Sequence, residues 1–225
     1  MSPEKSRFLP EHQAARWINA YEIAYPEHRV AITAEDAVTA AEAIGYPVVL
    51  KMVADVVHKS DVGGVVTGLS NADQVRAAYT RIRAEAAAHA ISLTAVLVCR
   101  HIEPGIELIV GGFRDGTFGP TVMAGLGGVF TEVLDDVAFR VAPIDTHEAE
   151  RLLREIRGWA LLEGIRGNKR GDIEGCSRLL ANVSRMMVEQ PKILSLDLNP
   201  VRVLPNAVVA LDVQIEVKSR LPSKD

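Results

Sequence analysis

Residues 46–65 read Y-P-V-V-L-K-M-V-A-D-V-V-H-K-S-D-V-G-G-V, and this stretch does the most to decide the fold. Residues 48–52 form a β-branched, mostly apolar run, which predicts a strand, and residues 65–69 predict a second strand. The loop between them contains the paired glycines Gly63 and Gly64. Tight connections between strands favour antiparallel pairing. We therefore expect an antiparallel sheet here, with a polar loop at its end.

A second informative stretch, residues 197–212, reads D-L-N-P-V-R-V-L-P-N-A-V-V-A-L-D. We expect two closing strands at residues 194–198 and 208–213, on either side of the Asn-Pro pair. Asn199 and Asp212 are the best metal candidates, because an amide oxygen, a carboxylate, phosphate oxygens and water together suit octahedral Mg²⁺. The simpler interpretation is that the Asn-Pro pair only starts a turn. Asp212 is harder to explain in that way, because an unpaired buried carboxylate is costly.

The rest of the chain shows helical and strand patterns in turn. Capping residues and helical periodicity predict helices at residues 9–25, 33–44, 70–90, 145–157 and 172–190. Further strands are predicted at residues 95–99, 107–110 and 121–124. Strands near the motifs with helices outside them indicate an α+β fold, not a doubly wound sheet. We expect one domain over residues 1–225, made of a small lobe (about 26–98), a hinge (about 99–102) and a large lobe (about 103–217 with the N-terminal helix).

The composition argues against several classes of protein. The 225 residues are 48% hydrophobic and 24% charged, which is enough to bury a core. A net charge of −4 and only 5% aromatic residues argue against nucleic-acid binding. There is no apolar run long enough to cross a bilayer and no signal-peptide pattern, and Cys99 and Cys176 are too few for a disulfide framework. We expect a cytoplasmic protein that binds neither nucleic acid nor a membrane.

Lys51 lies inside the apolar run of residues 48–52. One interpretation is a lysine on the wet face of the strand, with its stem reaching towards the edge. The other is a lysine that projects into a cleft and holds a phosphate as a point charge. The residue alone does not decide between them.

The loop that follows supports the phosphate interpretation. Gly63 and Gly64 permit close approach of the main chain to a ligand, and successive N–H groups in such a loop can form an anion-binding nest. Lys59 would add positive charge, and His58 would be a nucleophile for a transferable phosphoryl group. The alternative is an ordinary hairpin loop with a surface histidine.

A second glycine-rich run, G-L-G-G at residues 125–128, is either a tight turn after a strand or a floor for phosphate or substrate. It lacks the spacing of a dinucleotide fingerprint, and the chain has no P-loop. Asp135 and Asp136, just beyond the run, are expected on a solvated acidic face. Glu107, at the start of a strand, is a candidate for a hydrogen bond to a ribose hydroxyl.

Together these residues resemble the ATP-grasp domain of the NDP-forming acyl-CoA synthetases, over roughly residues 9–217. The matching stretches are YPVVLK, HKSDVGGV, GIELIVG, RDGTFGP, GLGGVFTEVLDDVAFRVAPI, LLEGIRG, DLNP and ALDVQI. HKSDVGGV and the long block that begins GLGG are specific to this family. DLNP is shared more widely, including with succinyl-CoA synthetase β subunits.

The resemblance implies two lobes around a cleft that binds ATP or ADP with Mg²⁺. The implied nucleotide contacts are Lys51 at the phosphates, Lys59, Gly63 and Gly64 in a lid over them, Cys99, Arg100, His101 and Ile102 at the adenine-facing hinge, and Glu107 at the ribose. Asn199 and Asp212 would hold Mg²⁺. His58 would be a catalytic residue that carries a phosphoryl group.

The resemblance also implies a partner. The family reaction interconverts acyl-CoA, ADP and phosphate with the free acid, CoA and ATP. In that reaction an acyl phosphate passes its phosphoryl group to a histidine on a CoA-binding part, and a loop carries it to the ATP-grasp part. This sequence contains no CoA-binding Rossmann unit. It therefore resembles a β subunit that needs a CoA-binding α subunit, in an α₂β₂-type assembly, and the missing subunit is expected to select the acyl substrate.

The sequence departs from the family pattern at a few positions. The hinge reads Cys99, Arg100 and His101, where it often carries Gln or Glu. Glu22 replaces a usual glycine, and residues 53–55 replace a more usual serine-proline pair. Ser195 stands where an acid is common. None of these departures removes a phosphate or metal ligand. The altered hinge bears on the recognition of adenine.

Two other functions fit the same residues. One is a stand-alone ATP-grasp ligase that joins a carboxylate to an amine or thiol, and it would turn over without a partner. The other is a non-catalytic nucleotide-sensing module, which would bind Mg·ATP without phosphoryl transfer.

Overall fold

The computed structural model describes residues 6–54, 62–128, 136–165 and 169–219. The chain divides into two compact units, one of residues Pro26–Glu103 and the other of Met1–Tyr25 with Pro104–Asp225. Each unit builds its own sheet and packs helices against it. The α+β class predicted from the sequence is therefore confirmed.

The elements described are eleven strands and six helices in those ranges. The strands are β1 Ser6–Phe8, β2 His28–Ala31, β3 Val48–Val53, β4 Val65–Leu69, β5 Ala95–Arg100, β6 Ile106–Asp115, β7 Gly119–Leu126, β8 Val137–Val141, β9 Ile193–Leu204, β10 Ala207–Ala210 and β11 Gln214–Lys218. The helices are α1 Glu11–Asn19, α2 Ala34–Ile44, α3 Ala72–Ala88, α4 Thr146–Glu155, α5 Trp159–Glu163 and α6 Ile173–Glu189.

The Pro26–Glu103 unit is a four-stranded sheet in the order β2-β5-β3-β4, with α2 and α3 packed on it. All of its strand pairs are antiparallel, including the β3–β4 pair that the sequence predicts. Alternate residues of β3 and β5 face the helices and form one apolar core with them, which includes Leu50, Met52, Val96, Val98, Ile44, Val75 and Ile82. Burial of this core is the main source of stability for the unit.

Local capping fixes both ends of α2. The hydroxyl of Thr33 accepts from the N–H of Asp36 at 3.1 Å, and the Asp36 carboxylate accepts from the N–H of Thr33 at 3.0 Å. This reciprocal pair is the capping box that the sequence predicts. The helix ends at Gly45, whose φ of 89° lies in the region that favours glycine.

The larger unit is built on a sheet in the order β1-β11-β9-β6-β7-β8, with β10 also paired to β9. Helix α6 packs on β6 and β7, and it comes so close that a Cβ on Gly112 would lie 2.6 Å from the Cγ of Met187. Arg114 completes the end of this helix, because its guanidinium donates to the carbonyl oxygens of Gln190 at 2.9 Å and Ile193 at 2.7 Å. The sheet and helix are therefore held both by apolar packing and by a cation at the helix C-terminus.

The structure corrects several predicted boundaries. The helix expected over residues 9–25 is only α1, Glu11–Asn19. Four strands were not predicted: β1, β2, β8 and β11. Three of them, β1, β2 and β8, lie at sheet edges. They are three to five residues long, and edge strands lack the apolar runs by which central strands are recognised.

The closing strands also differ from the prediction. β9 does not stop before the Asn-Pro pair but continues through it to Leu204, and β10 ends at Ala210. Asp212 therefore lies in the connection after β10, not within a strand. The proline is tolerated because the pairing of β9 with β6 shifts register here, between Leu108 and Val110, and a bulge removes the need for its missing N–H.

Within the ranges that the structure describes, none of the helices is both long enough and apolar enough to traverse a bilayer.

Candidate active site

Lys51 is buried, with 8% of its surface exposed. It lies between Leu50 and Met52, which face the helices, so its side chain projects from the opposite face of the sheet. The interpretation of Lys51 as a lysine on the wet face of a strand is therefore wrong. Transfer of an ammonium group out of water is costly unless an anion compensates it. An ammonium group interacts more strongly with an anion here than at the surface, so the position is compatible with a phosphate ligand.

After the paired glycines the chain enters β4, next to Lys51. The N–H of Met52 donates to the carbonyl oxygen of Gly64 at 2.7 Å, and Val65 is the Cα partner of Lys51 in the β3–β4 ladder. Gly63 has a φ of 67°, and a Cβ there would lie 3.2 Å from the Cγ of Glu85. Only glycine combines this conformation with this neighbour at low cost.

His58 and Lys59, the other two functional candidates of this loop, lie outside the described residues. The described flanks, up to Ala54 and from Val62 onward, show that the loop leaves and rejoins the sheet next to Lys51. The roles of His58 as a phosphoryl carrier and of Lys59 as a phosphate contact therefore stay predictions.

The predicted hinge begins on β5. Cys99 is 1% exposed and pairs with Val49 in the ladder with β3, while Leu97 pairs with Lys51. Because side chains alternate along a strand, Cys99 lies on the same face of the sheet as Lys51. Of the predicted hinge residues, Cys99 therefore lies on the face of the sheet that carries Lys51, the candidate phosphate ligand.

Arg100, His101 and Ile102 do not share that burial. Arg100 is exposed, and its side chain makes an ion pair with that of Glu27 at 2.6 Å. The main-chain N–H of Arg100 also donates to the carbonyl oxygen of Glu27 at 2.9 Å. The N–H of His101 donates to the carbonyl oxygen of Pro47 at 3.2 Å. His101 and Ile102 are half-buried. These contacts anchor Arg100 and His101 to their own unit, with the Arg100 side chain at the surface.

Glu107 is the second residue of β6, and it is held by Arg202 of β9. The two residues are Cα partners, and the Nη2 of Arg202 donates to the Oε1 of Glu107 at 2.7 Å. The Arg202 side chain is 14% exposed and that of Glu107 32% exposed. The pair is thus partly removed from solvent, where an ion pair is better defined than at the surface.

The G-L-G-G run packs directly on Glu107. The N–H of Gly127 donates to the carbonyl oxygen of Glu107 at 2.8 Å, and a Cβ on Gly127 would lie 2.9 Å from the Cβ of Glu107. Gly125 lies within β7, opposite Ile109. Close main-chain packing around Glu107 explains the lack of side chains in this run, and its use as a floor for phosphate or substrate stays a prediction.

Asp136 corrects the expectation of a solvated acidic face. It is 5% exposed, and its carboxylate accepts from the main-chain N–H of Arg157 at 2.7 Å and of Gly158 at 2.8 Å. Gly158 in turn packs so tightly that a Cβ would lie 2.0 Å from the Cδ1 of Leu126. Asp136 therefore ties the turn before α5 to the G-L-G-G run. Asp135 lies outside the described residues.

Asn199 in β9 and Asp212 after β10 both adjoin the end of the β9–β10 ladder. The N–H of Leu211 donates to the carbonyl oxygen of Pro200 at 2.8 Å, and the ladder pairs Ala210 with Val201. Asn199 precedes Pro200 and Asp212 follows Leu211 in the chain. Asn199 is exposed and Asp212 half-buried.

The chemistry of these two residues fits Mg²⁺ only as part of a larger set of ligands. One Asp212 oxygen, Oδ1, accepts from the N–H of Val213 at 3.0 Å. Across the described ranges there is no group of three or more His, Cys, Asp or Glu side chains that could hold a metal ion. Phosphate oxygens and water would have to supply the remaining ligands, which is the usual arrangement for Mg²⁺ at a nucleotide.

Sequence reasoning missed Arg202 and the role of Asp136. A signal for Arg202 exists: it is a lone charge in the apolar run 201–204, as Glu107 is in the run that follows Ile106. Opposite charges on two apolar strands predict a cross-strand pair, but 95 residues separate them. Without the strand order, the pair cannot be recognised.

Comparisons with known proteins agree with this architecture. The family model of the ATP-grasp domain matches residues 1–217. The β subunit of Acetate--CoA ligase [ADP-forming] I from Pyrococcus furiosus is 39% identical over 214 residues, which cover 94% of this chain and 92% of that subunit. The chain spans only 29% of Acetate--CoA ligase [ADP-forming] I from Archaeoglobus fulgidus, with 42% identity over 200 residues.

Solved structures of acetyl-coenzyme A synthetase 1 from Ca. Korarchaeum cryptofilum are similar over 94% of this chain and 93% of theirs, at 42% identity. The TM-score is 0.92 for its complex with coenzyme A, Ca-AMPCP and HgCl+. It is 0.83 for the complex with coenzyme A and Mg-AMPPCP, in which a phosphohistidine segment points towards the nucleotide binding site. The chain belongs to the ATP-grasp domain family, and its homologues include the β subunits of ADP-forming acetate–CoA ligases.

Proposed function

We propose that this chain is the nucleotide-binding β subunit of an ADP-forming acyl-CoA synthetase. In the complete reaction, acyl-CoA, ADP and phosphate are interconverted with a carboxylic acid, CoA and ATP. The observation that carries the proposal is the buried Lys51 on an apolar strand, next to which the Gly63–Gly64 loop rejoins the sheet. Relatives that share 39% and 34% identity and almost the full length of the chain are β subunits of acetate–CoA ligases.

The smaller unit, Pro26–Glu103, would supply the contacts to the phosphates and the base. Lys51 would neutralise phosphate charge from a site with little water, where its interaction with an anion is stronger than at the surface. Gly63, Gly64 and Lys59 would cover the phosphates with main-chain N–H groups and one further cation. Cys99 and the main chain of Arg100, His101 and Ile102 would face the adenine.

The larger unit would supply the contacts to the ribose and the metal. Glu107 would accept a hydrogen bond from a ribose hydroxyl. Asn199 and Asp212 would each give one oxygen to Mg²⁺, together with phosphate oxygens and water. The metal, when bound, would neutralise the charge that develops on the phosphates during transfer. The chain's own contribution would be to position the nucleotide and exclude water.

The step assigned to this chain moves a phosphoryl group between nitrogen and oxygen. In the direction of ATP synthesis, the N–P bond of a phosphohistidine breaks, and a new P–O bond forms to a terminal oxygen of ADP. The histidine leaves as neutral imidazole after it takes up a proton, and the reverse step consumes ATP. His58 is proposed as a carrier in this sequence, because an imidazole nitrogen can hold a phosphoryl group covalently.

A CoA-binding α subunit is the proposed partner. The chain spans 92% of the separate β subunit of Pyrococcus furiosus but only 29% of the longer Archaeoglobus fulgidus enzyme. The remainder of that longer enzyme is the part for which this chain has no counterpart. We propose that the partner carries the CoA site and a phosphohistidine and that the two subunits form a hetero-oligomer.

Turnover by the two subunits together tests this function. The chain is mixed with the CoA-binding subunit encoded in its own genome, ATP, Mg²⁺, acetate and CoA, and the release of ADP and acetyl-CoA is followed. We expect turnover only when both subunits are present, and we expect His58→Ala to abolish it while ATP binding is kept. Turnover by the chain alone would instead identify a stand-alone ligase, and full activity of the His58→Ala enzyme would exclude the carrier role.

A further inference from the structure

The ion pair between Arg202 and Glu107 is unusual in its position. Both residues lie on strands whose neighbouring side chains are apolar and buried: Leu108 is 1% exposed, Val201 0% and Val203 1%. The two are directly opposite in the β6–β9 ladder. The Nη2 of Arg202 lies 2.7 Å from the Oε1 of Glu107. A charge-assisted hydrogen bond in such a setting fixes the direction of the carboxylate.

The second oxygen of the carboxylate, Oε2, lies against the G-L-G-G run. A Cβ on Gly128 would be 3.4 Å from Oε2, and Gly128 has a φ of 71°. Gly127 donates its N–H to the main-chain carbonyl of Glu107 at 2.8 Å. The carboxylate is therefore held on one side by Arg202 and bordered on another by a main chain without side chains.

We infer that Arg202 is a positioning residue that determines selectivity for the ribose hydroxyls of the nucleotide, by fixing Glu107 so that Oε2 accepts their hydrogen bond. This inference rests on the proposed function, in which Glu107 contacts the ribose. Arg202 also offsets the negative charge of Glu107, which would otherwise repel the phosphates of the same nucleotide. Nothing in the sequence pattern assigns this role to Arg202.

A purely structural ion pair would predict a different outcome. Removal of one partner of a partly buried pair lowers stability whatever the ligand is. A positioning role also changes the ratio of affinities for two nucleotides that differ only at the ribose. That ratio is therefore the informative quantity, because a general loss of stability affects both nucleotides equally.

The experiment measures the Kd of Mg·ATP and of Mg·2′,3′-dideoxy-ATP by calorimetry for the wild type, Glu107→Gln, Arg202→Met and the double variant. One charge-assisted hydrogen bond corresponds to about a tenfold or larger preference for ATP in the wild type. We expect Glu107→Gln and Arg202→Met each to reduce that preference to about twofold or less. We expect the double variant to show no further loss, because the two residues act as one unit.

The outcomes separate the inference from the proposed function. If Glu107→Gln keeps the wild-type preference, the ribose contact of the proposed function is wrong. If Glu107→Gln loses the preference while Arg202→Met keeps it, the ribose contact stands and the inference about Arg202 is overturned.

Two further variants test whether a change in nucleotide preference is specific to the Glu107–Arg202 pair. Arg202→Lys keeps the charge without the forked geometry, and we expect an intermediate preference. Arg140→Met removes another partly buried arginine of the same unit, paired with Glu148 at 2.6 Å, and we expect an unchanged preference. A preference that falls equally in Arg140→Met would show that the effect does not depend on contact with Glu107, and it would also overturn the inference.

Discussion

The main-chain N–H of Met52 donates a hydrogen bond to the carbonyl oxygen of Gly64 over 2.7 Å. This contact closes the glycine loop next to Lys51, the only lysine or arginine in the described ranges that is buried. In the proposed function this cation binds the nucleotide phosphates, because its attraction to an anion is stronger where little water is present. The first prediction concerns that cation.

Lys51→Met should weaken the binding of ATP by about 10- to 100-fold, because one hydrogen bond to a charged group contributes about 1.5–3 kcal/mol. Titration calorimetry measures the loss of affinity, and thermal melting checks that the variant stays folded. The matched control is Arg83→Met, which removes an exposed cation from α3 of the same unit and should change neither. A Lys51→Met protein that binds ATP normally would contradict the role of Lys51.

Asp136→Asn should destabilise the larger unit by about 1–3 kcal/mol. The carboxylate accepts from two main-chain N–H groups, and an amide of the same shape presents an NH₂ group to one of them, so that a buried donor loses its partner. Urea unfolding measures the loss. Asp73→Asn is the control, because the Asp73 side chain is 98% exposed, and it should be close to neutral. Equal stability of the two variants would show that Asp136 does not fix the turn.

Glu22→Gly should raise stability by up to about 1 kcal/mol. Glu22 has a φ of 58°, a conformation that costs a residue with a side chain about 1–2 kcal/mol and glycine very little. The gain is reduced by the greater freedom of glycine in the unfolded chain and by loss of the exposed contact to Arg185 at 3.7 Å. This conformation also explains why glycine is usual at the position.

Thermal melting of Glu22→Gly is best compared with two other glycine variants. Ala90→Gly changes the other non-glycine residue of the described ranges with a positive φ, of 53°, and it should behave in the same way. Glu42→Gly lies within α2 and should lose about 1 kcal/mol. Destabilisation by all three substitutions would show that the backbone at Glu22 is not strained.

The loss of stability at acid pH should depend on Arg140. Its guanidinium hydrogen-bonds Glu148 at 2.6 Å and also Glu155, and these bonds lower the pKa of both carboxyl groups from 4.5. A carboxyl whose pKa is lower in the folded state stabilises the fold above about pH 4.5, and this contribution is lost as the pH falls through the folded value. The wild type should therefore melt higher than Arg140→Met near pH 7, and the difference should shrink below pH 4.5. A difference that is constant with pH would contradict this account.

Local sequence signals predicted local structure well. The capping box of Thr33 and Asp36 and the stop at Gly45 depend on residues within one turn of each other, so the sequence alone contains them. The antiparallel pairing of β3 and β4, two strands adjacent in sequence, was also expected. Lys51 was recognisable as a lone cation in an apolar run, but the run alone did not decide whether it is buried.

Features that depend on distant partners were not predicted. Glu107 meets Arg202 only because β6 and β9 are neighbours in the sheet, and nothing within either strand indicates this order. Asp136 was expected in solvent because its partners, the N–H groups of Arg157 and Gly158, are main-chain groups that leave no mark in the sequence. Asp212 was assigned to a strand because residues 208–213 are apolar around it, whereas β10 ends at Ala210.

The most direct test of the account is calorimetric titration of the chain with ATP, with and without Mg²⁺, for the wild type and for Asp212→Ala. Glu174→Ala is the control, because it removes a carboxylate that is 87% exposed. We expect the wild type and Glu174→Ala to bind ATP more tightly with Mg²⁺, and Asp212→Ala to lose that gain while it keeps its affinity for metal-free ATP. Absence of ATP binding by the wild type, or an equal loss of metal-bound and metal-free ATP in Asp212→Ala, would contradict a magnesium-nucleotide site built on these residues.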